Sequence, residues 1–148
     1  MRWCNVYRQI GIRVFLVIDH ISRFIYEATD GRIGAVQGNV RMLLLHSIGR
    51  KTGKIRTHCL QYQRDGNNYL VVPSNFGLPT SPAWYLNLKA HPHIKIQVGR
   101  QHLEVEAHTA TPDERSRLWS IVTTNHPPYT KYQSATTREI PVVILTPT

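Results

Sequence analysis

The chain has 148 residues, of which 41% are hydrophobic and 18% are charged. This balance supplies enough apolar surface for a real core and excludes a disordered chain, a collagen-like repeat and a small disulfide-stapled protein. Lysine and arginine number 18 against nine acidic residues, so the formal charge is +9 and an anionic partner is expected. Nucleic acid, an anionic membrane surface and a phosphorylated or polycarboxylate small molecule all satisfy that expectation.

Neither the cysteine content nor the hydropathy indicates export or a membrane span. Cys4 and Cys59 are too few for a disulfide framework or a four-cysteine zinc site, so a reducing cytoplasm is the expected location. The longest apolar runs, residues 14–18 and 42–45, are far shorter than the about 20 residues of a spanning helix. Charged residues follow the first run at once, which is not the pattern of a secretory signal.

An amphipathic helix is predicted over residues 9–27. Apolar residues recur there at alternating spacings of four and three, namely Ile10, Val14, Val17, Ile21 and Phe24. The opposite side carries Arg13, His20, Arg23 and Glu27. Two interpretations remain open: a helix packed on the domain, or an N-terminal arm, residues 1–28, that lies on an anionic membrane surface. The membrane interpretation is favoured by the residues just before the helix, Arg2, Trp3, Tyr7 and Arg8.

The middle of the chain predicts three consecutive antiparallel strands. An apolar run at Val40–Ser47 ends in a glycine-bounded turn, and a second strand follows at about Ile55–Gln63. The pair Asp65-Gly66 between two β-rich runs is a hairpin signal, so Asn68–Ser74 is expected to pair with the second strand.

A short helix and a second hairpin follow. Ser81 is expected to cap the helix, with Pro82 at its first position and Ala83–Ala90 as its body. Ile94–Val98 and Leu103–Ala107 then alternate in period two around a glycine, which predicts another antiparallel pair.

The last third of the chain predicts one more helix and one more strand. Thr111 as cap, a proline after it and Glu114 three residues later form a capping box, and the helix is expected to run to about Thr124. Pro141–Leu145 is expected to close the chain as a strand. The pattern lacks the alternating βα units of a dinucleotide-binding sheet, so it predicts a mainly β, α+β fold: one domain, residues 1–148, built as an antiparallel barrel of about six strands with helices outside.

The segment Gly49–Arg56 carries four cations within seven residues. Its backbone N–H groups, a hydroxyl and the charged side chains could bind one anion, and arginine adds a bidentate fork for phosphate. It is not a Walker loop, because the glycine expected four residues before a Gly-Lys-Ser/Thr triplet is missing and no strand-to-helix switch follows. On the residues alone, a phosphate cradle and a merely solvated loop both stay open.

Four blocks follow one another in order between residues 40 and 147. They are Gly-Arg-Lys-Thr-Gly-x-x-Arg at Gly49–Arg56, Tyr-x-x-Asp-Gly at Tyr62–Gly66, Pro-x-Trp-Tyr-x-Asn-Leu at Pro82–Leu88 and Thr-x-Arg-x-Ile-Pro-Val at Thr136–Val142. Together they resemble the deazaflavin-dependent nitroreductase family, whose members include quinone reductases. The resemblance implies a split β-barrel. It also implies the cofactor 8-hydroxy-5-deazaflavin, coenzyme F-420, a hydride carrier with a phospholactyl-polyglutamate tail that would account for the positive charge.

The resemblance also implies roles for particular residues. The phosphate and part of the acidic tail would be held by Arg50, Lys51, Thr52, Gly53 and Arg56. The positions that line the ring, or the chain behind it, are Leu60, Ser74, Pro82, Trp84 and Asn87, with ordinary core as the alternative for Leu60 and Trp84. Tyr129, Tyr132 and Ser74 are the implied catalytic positions; an aromatic face can stack on a planar acceptor and a phenol can donate to its oxygen. The chain departs from the family pattern at Cys59, Gln61, Asn75-Phe76 and His126.

The activity implied by the resemblance is transfer of a hydride from reduced F-420 to an electron-poor acceptor such as a quinone or a nitro compound. The alternatives are an FMN-dependent split-barrel oxidoreductase and a non-enzymatic basic barrel that binds nucleic acid. A cytoplasmic location is expected, with peripheral contact to the inner face of the cell membrane through residues 9–27 if the helix lies on lipid. No metal is expected, because His91-Pro92-His93 lacks a third ligand, and Cys59 is expected to be a small buried hydrophobe.

Overall fold

The computed structural model describes the backbone of residues 2–148 and the side chains of residue 11 and residues 13–148. The side chains of Arg2, Trp3, Tyr7 and Arg8 therefore lie outside the described residues. Within the described part, the α-helices are α1 (Arg2–Ala28), α2 (Ala83–Ala90), α3 (Pro112–Asn125) and α4 (Pro128–Ser134). The strands are β1 (Val36–Gln37), β2 (Val40–Ile48), β3 (Ile55–Gln61), β4 (Gln63–Asp65), β5 (Asn68–Val71), β6 (His93–Val98), β7 (Gln101–Thr109) and β8 (Val143–Pro147).

All of these strands belong to one antiparallel sheet that curls into a split barrel. The strand order is β1-β2-β6-β7-β8-β5-β4, and β3 pairs with residues 42–48 of β2, next to the short β1. Strand β3 lies beside β2 near one end of this order, and β4 lies at the other end. Because only Tyr62 separates β3 from β4 in the chain, the sheet must curl until these two ends meet. The predicted barrel is thus confirmed.

The barrel interior and the outer face of the sheet hold different apolar clusters. Leu43 and Leu45 of β2 point into the interior and pack with residues of β5 to β8 and of α2. Leu44, between them, points outward and packs with Tyr26 of α1 and Cys59 of β3. This is the period-two alternation of a strand with both faces covered. Helices α3 and α4 cover the outer face of β5 and β8.

Helix α1 is confirmed, but its orientation is not the one that its pattern predicts. The apolar stripe of α1 (Val14, Val17, Ile21 and Phe24) is more than half exposed at each position. The side that packs on the sheet instead presents Tyr26, which is fully buried and accepts a hydrogen bond from the Gly99 N–H at 2.7 Å. Arg23 is on that side too and donates to the carbonyl oxygen of Thr57. Helix α1 is therefore packed on the domain, as one of the two interpretations has it, but through its polar side, and its apolar stripe is left exposed.

Several element boundaries differ from the predictions for local reasons. Ser81 does not cap α2: the cap residue is Pro82, whose carbonyl accepts from Tyr85 N–H at 3.1 Å, with no side-chain cap. The predicted second strand is broken at Tyr62, where the sheet bends, and this break together with the two-residue β1 raises the strand count to eight.

The end of the chain also differs from the predictions. The last strand starts two residues late and continues to Pro147, because β8 pairs with β7 as far as Val105. The capping box of Thr111 and Glu114 is confirmed. Helix α4 was not predicted, because consecutive prolines suggest a break; here Pro127 is the cap residue and Pro128 the first helical residue, where no N–H is needed.

We predict that Gly31→Ala destabilises the fold far more than Gly66→Ala. Both glycines have positive φ angles, +74° and +58°. A Cβ at Gly31 would overlap the backbone carbonyl of Gly99, whereas nothing lies within 4 Å of one at Gly66. Chemical denaturation should show a loss of about 1 kcal/mol at Gly66 from the left-handed backbone alone, and at least about 3 kcal/mol at Gly31. Equal losses would contradict the close approach of the two chain segments.

Candidate active site

The main candidate site is a cavity of about 430 Å³ between α1, β3 and the segment that leads from β5 to α2. It brings together four of the residues that the sequence indicates for the cofactor, Leu60, Ser74, Pro82 and Trp84. The α1 wall contributes Phe15, Leu16 and Asp19, and β3 contributes His58 and Cys59. The lining is mostly apolar, with a few polar groups at defined places, as is usual for a small-molecule site.

Leu60 and Trp84 take part in both the core and the cavity. Trp84 is 7% exposed and belongs to the barrel core, against which Leu60 packs, yet both also line the cavity. The two interpretations of these residues are thus compatible, since a core side chain can form the rigid floor of a site.

The basic turn (Gly49–Arg56) connects β2 to β3, and its charged side chains are exposed. Its backbone donors are largely satisfied within the protein: the N–H groups of Thr52 and Gly53 bind the carbonyl of Gly49, and the N–H of Lys54 binds the hydroxyl of Thr52. These three N–H groups therefore have partners within the turn, and the phosphate-cradle interpretation of the turn stays a prediction. The exposed charged side chains of the turn are available to an anion.

Asn87 connects the basic turn to helix α2. It is buried, and its Oδ1 accepts bonds from both the backbone N–H and the Nη1 of Arg50, each at 3.2 Å. Its Nδ2 donates to the hydroxyl of Ser47 at 3.3 Å. Since Pro82 and Trp84 at the start of the same helix line the cavity, Asn87 fixes the basic turn relative to the helix that forms one cavity wall.

The two tyrosines indicated for catalysis, Tyr129 and Tyr132, lie next to a residue of the cavity wall and not in the wall itself. Tyr129 is 7% exposed and packs with α3 and the outer face of the sheet, where burial raises the pKa of its phenol. Its ring meets those of His126 and Tyr132, and Tyr132 in turn meets Phe76 with ring centroids 5.9 Å apart. Of the residues in this aromatic row, Phe76 lines the cavity and the tyrosines do not.

Burial shifts the pKa of three titratable groups in the cavity wall in the direction that favours their uncharged forms. Desolvation raises the pKa of Cys59 to about 12, as expected of a small buried hydrophobe, and raises the pKa of the Asp19 carboxyl. His58 is affected in the opposite direction, because burial and the charges of Arg23 and Arg56 lower its pKa to about 4. At neutral pH its imidazole is uncharged.

Sequence reasoning missed Asp19, His58, Phe15 and the structural role of Phe76. Asp19 had a signal, since it directly follows the apolar run of α1, but the periodicity does not tell which side of the helix packs on the domain.

The described part of the chain contains no group of three or more histidine, cysteine or acidic residues that could hold a metal ion. Within that same part, no helix is both long enough and apolar enough to cross a bilayer.

The curled antiparallel sheet, with an aromatic-lined cavity and a basic turn tied to one of its walls, is typical of split-barrel reductases. Residues 20–147 match the family model described as F420H(2)-dependent quinone reductase, and the chain belongs to that family. A Mycobacterium tuberculosis protein named F420H(2)-dependent quinone reductase is 45% identical over 149 residues, 98% of this chain and 96% of that protein.

Solved structures agree with this assignment. A structure of an F420-H2 dependent reductase has 35% identity and a TM-score of 0.65, covering 70% of this chain and 92% of its own. Another, described as a domain-swapped dimer, has 30% identity and a TM-score of 0.69, covering 90% of this chain and 98% of its own. The family assignment favours F-420 over the FMN alternative.

We predict that His58 makes the fold sensitive to acid. Because the folded pKa is about 4 against 6.5 for a free histidine, the unfolded chain takes up the proton first as the pH falls. Stability is therefore full above pH 6.5 and decreases toward pH 4, by up to about 3 kcal/mol at about 1.4 kcal/mol per pKa unit. Urea unfolding at pH 7 and pH 4.5 should show a smaller difference in His58→Gln than in the wild type.

The matched control is His91→Gln, because His91 is exposed to solvent. This variant should keep the acid sensitivity of the wild type. If His58→Gln keeps the acid sensitivity as well, the half-buried imidazole of His58 is not its source.

Proposed function

We propose that this protein transfers a hydride from reduced coenzyme F-420 to a quinone, with the cavity under α1 as the site of transfer. The observation that carries the proposal is the connection between an apolar cavity and an exposed basic turn through Asn87. The residues suit the two halves of the cofactor: the cavity offers Leu60, Pro82 and Trp84 to a flat ring, and the turn offers cations to an acidic tail. Bound reduced F-420 supplies the hydride.

The protein itself supplies binding, orientation and exclusion of water. Arg50, held by Asn87, and the exposed cations Lys51 and Arg56 attract the phosphate and carboxylates of the tail, with Thr52 and Gly53 shaping the turn. The mostly apolar lining of the cavity keeps water from the reacting atoms. Ser74, at the cavity wall, can donate its hydroxyl proton in a hydrogen bond to a bound ring or acceptor.

The tyrosines act on the acceptor side in this proposal. Tyr132 contacts Phe76, which lines the cavity, and the ring of Tyr129 packs against that of Tyr132. Because burial raises the pKa of Tyr129, its phenol stays protonated at neutral pH and remains a hydrogen-bond donor.

We expect Lys51→Ala/Arg56→Ala to weaken binding of F-420 about 10-fold at low ionic strength, and less at high salt, because exposed charges are screened. A fluorescence titration with F-420, run beside FMN, measures this. The charge-matched control is Lys95→Ala/Arg100→Ala, which removes two exposed cations from the β6–β7 hairpin. It should leave the affinity within about twofold. If both double variants bind equally well, the turn does not hold the tail.

We also propose that the exposed apolar stripe of α1 rests on an anionic membrane surface. Val17 and Ile21 are 59% and 54% exposed, and Phe24 is 69% exposed, on a chain whose formal charge is +9. Apolar burial in the headgroup region combined with electrostatic attraction is how interfacial helices bind. Since Phe15 and Leu16 of the same helix line the cavity, a quinone dissolved in lipid would have a short path to the site.

Flotation of the full chain with vesicles containing phosphatidylglycerol should show binding that Val17→Glu/Ile21→Glu abolishes, because two carboxylates on the stripe resist burial. Ser120→Glu/Thr124→Glu, on the exposed side of α3, adds the same charge elsewhere and should retain most of the binding. Light scattering of each variant measures self-association. A wild type that does not float, and whose dimer is dissociated by the α1 substitutions, would assign the stripe to a second copy of the chain instead.

A further inference from the structure

The segment from Ser74 to Leu78 holds a backbone conformation that its residues disfavour. Asn75, Phe76 and Gly77 have φ angles of +45°, +55° and +72°, so three successive residues lie in the left-handed region. Only the last of them is a glycine. A bulky aromatic residue such as Phe76 rarely adopts this conformation, and it persists only where the surrounding structure enforces it.

Arg138 provides much of that enforcement. Its Nε donates to the carbonyl oxygen of Leu78 at 2.9 Å, and its Nη2 donates to the carbonyl oxygens of Ser74 at 2.8 Å and Pro73 at 3.3 Å. One guanidinium thus binds the backbone on both sides of the left-handed residues. Asn75 adds a bond from its Nδ2 to the carbonyl oxygen of Thr80 at 2.8 Å.

The consequence of this conformation is the position of the Phe76 ring. The ring is 40% exposed and lines the cavity instead of joining the core. The ring packs edge to face against two others. The centroid distance is 4.7 Å to Phe15 of α1, with an interplanar angle of 82°, and 5.9 Å to Tyr132 of α4, with an interplanar angle of 80°. Phe15 and Phe76 together form an aromatic rim where the cavity meets α1. Neither Asn87 nor the residues of the basic turn line this part of the cavity.

We propose that Phe76 is a specificity-determining residue that selects flat, fused-ring quinones, and that Arg138 is the positioning residue that holds it at the cavity. This inference rests on the proposed function, since it names the acceptor class of the same site. A naphthoquinone has a larger planar face than a single-ring benzoquinone and can stack over more of the Phe76 ring. Removing that ring should therefore weaken binding of the naphthoquinone more than binding of the benzoquinone.

The test compares 2-methyl-1,4-naphthoquinone with 1,4-benzoquinone as acceptors. Phe76→Ala should raise KM for the naphthoquinone about 10-fold and for the benzoquinone about twofold, and a titration with F-420 measures the cofactor affinity of the variant separately. Phe76→Leu, which keeps an apolar side chain of similar size without the ring, should show most of the same loss of selectivity. Tryptophan-fluorescence quenching by each quinone in cofactor-free protein measures binding independently of turnover.

Arg138→Lys tests the positioning role. Lysine keeps the charge but lacks the planar fork by which Nε and Nη2 reach carbonyl oxygens on both sides of the left-handed residues, so selectivity should fall as it does in Phe76→Ala. In a Phe76→Ala background the same substitution should change the selectivity ratio no further, because Arg138 acts through the ring. Arg115→Lys is the matched control: Arg115 donates Nε and Nη2 to the carbonyl oxygen of Ile140, at 2.9 Å and 2.7 Å, and should leave the ratio unchanged.

The outcomes separate this inference from the proposed function. A wild type that neither binds F-420 nor reduces quinones overturns the proposed function, and the quenching titration still tests Phe76. An active wild type whose naphthoquinone-to-benzoquinone ratio is the same in Phe76→Ala overturns the inference alone. If Arg138→Lys lowers kcat for both quinones equally while the ratio stays constant, Arg138 has a structural role only.

Discussion

The bend at Tyr62 is the constraint on which the rest of the structure depends. Tyr62 is buried in the barrel, its N–H donates to the carbonyl oxygen of Arg41, and its ring meets that of Tyr69 at 5.4 Å. On one side of it the chain pairs with β2, and on the other side with β5. A straight strand here would leave the sheet open, with its core residues exposed at two edges. Closure brings β3 and the segment after β5 to one cavity.

The site depends on connections between elements that are distant in the chain. Asn87 attaches the basic turn to α2, Arg138 attaches the strained segment to the C-terminal region, and Tyr26 attaches α1 to the sheet. Each connection uses a buried or half-buried polar group that satisfies backbone atoms, which is where hydrogen bonds contribute most to a unique geometry. The apolar contacts alone would leave the positions of these three segments less defined.

Helix α1 shows how the same pattern supports opposite structures. Its periodicity is that of a helix with one apolar side, and such a helix normally buries that side in its own core. Here the apolar stripe is exposed, and the packed side holds Asp19, Arg23 and Tyr26. The amphipathic pattern predicts that a helix has a partner for its apolar side. It does not say whether that partner is the chain itself, a lipid surface or another copy.

The predictions that succeeded were those for which neighbouring residues carry the whole cause. The capping box of Thr111 and Glu114, the hairpin at Asp65-Gly66 and the alternation in β2 are local, and the structure confirms them. Those that failed on distant contacts concern the ends of strands: the predicted second strand is broken at Tyr62, where the sheet closes, and the last strand extends to Pro147 because it pairs with β7. The predicted cap of α2 failed for a local reason, since Pro82 and not Ser81 is the cap residue.

The amino-acid sequence by itself determined the class of fold, the basic turn and, through four ordered blocks, the resemblance to a deazaflavin-dependent family. These follow from periodicity, turn chemistry and residue type, which act over a few neighbouring positions. Only the tertiary structure decided which residues share the cavity, that α1 turns its apolar stripe outward, and that Arg138 holds Phe76 in a left-handed conformation. These features depend on barrel closure, which joins residues more than 60 positions apart, and no local pattern records such a contact.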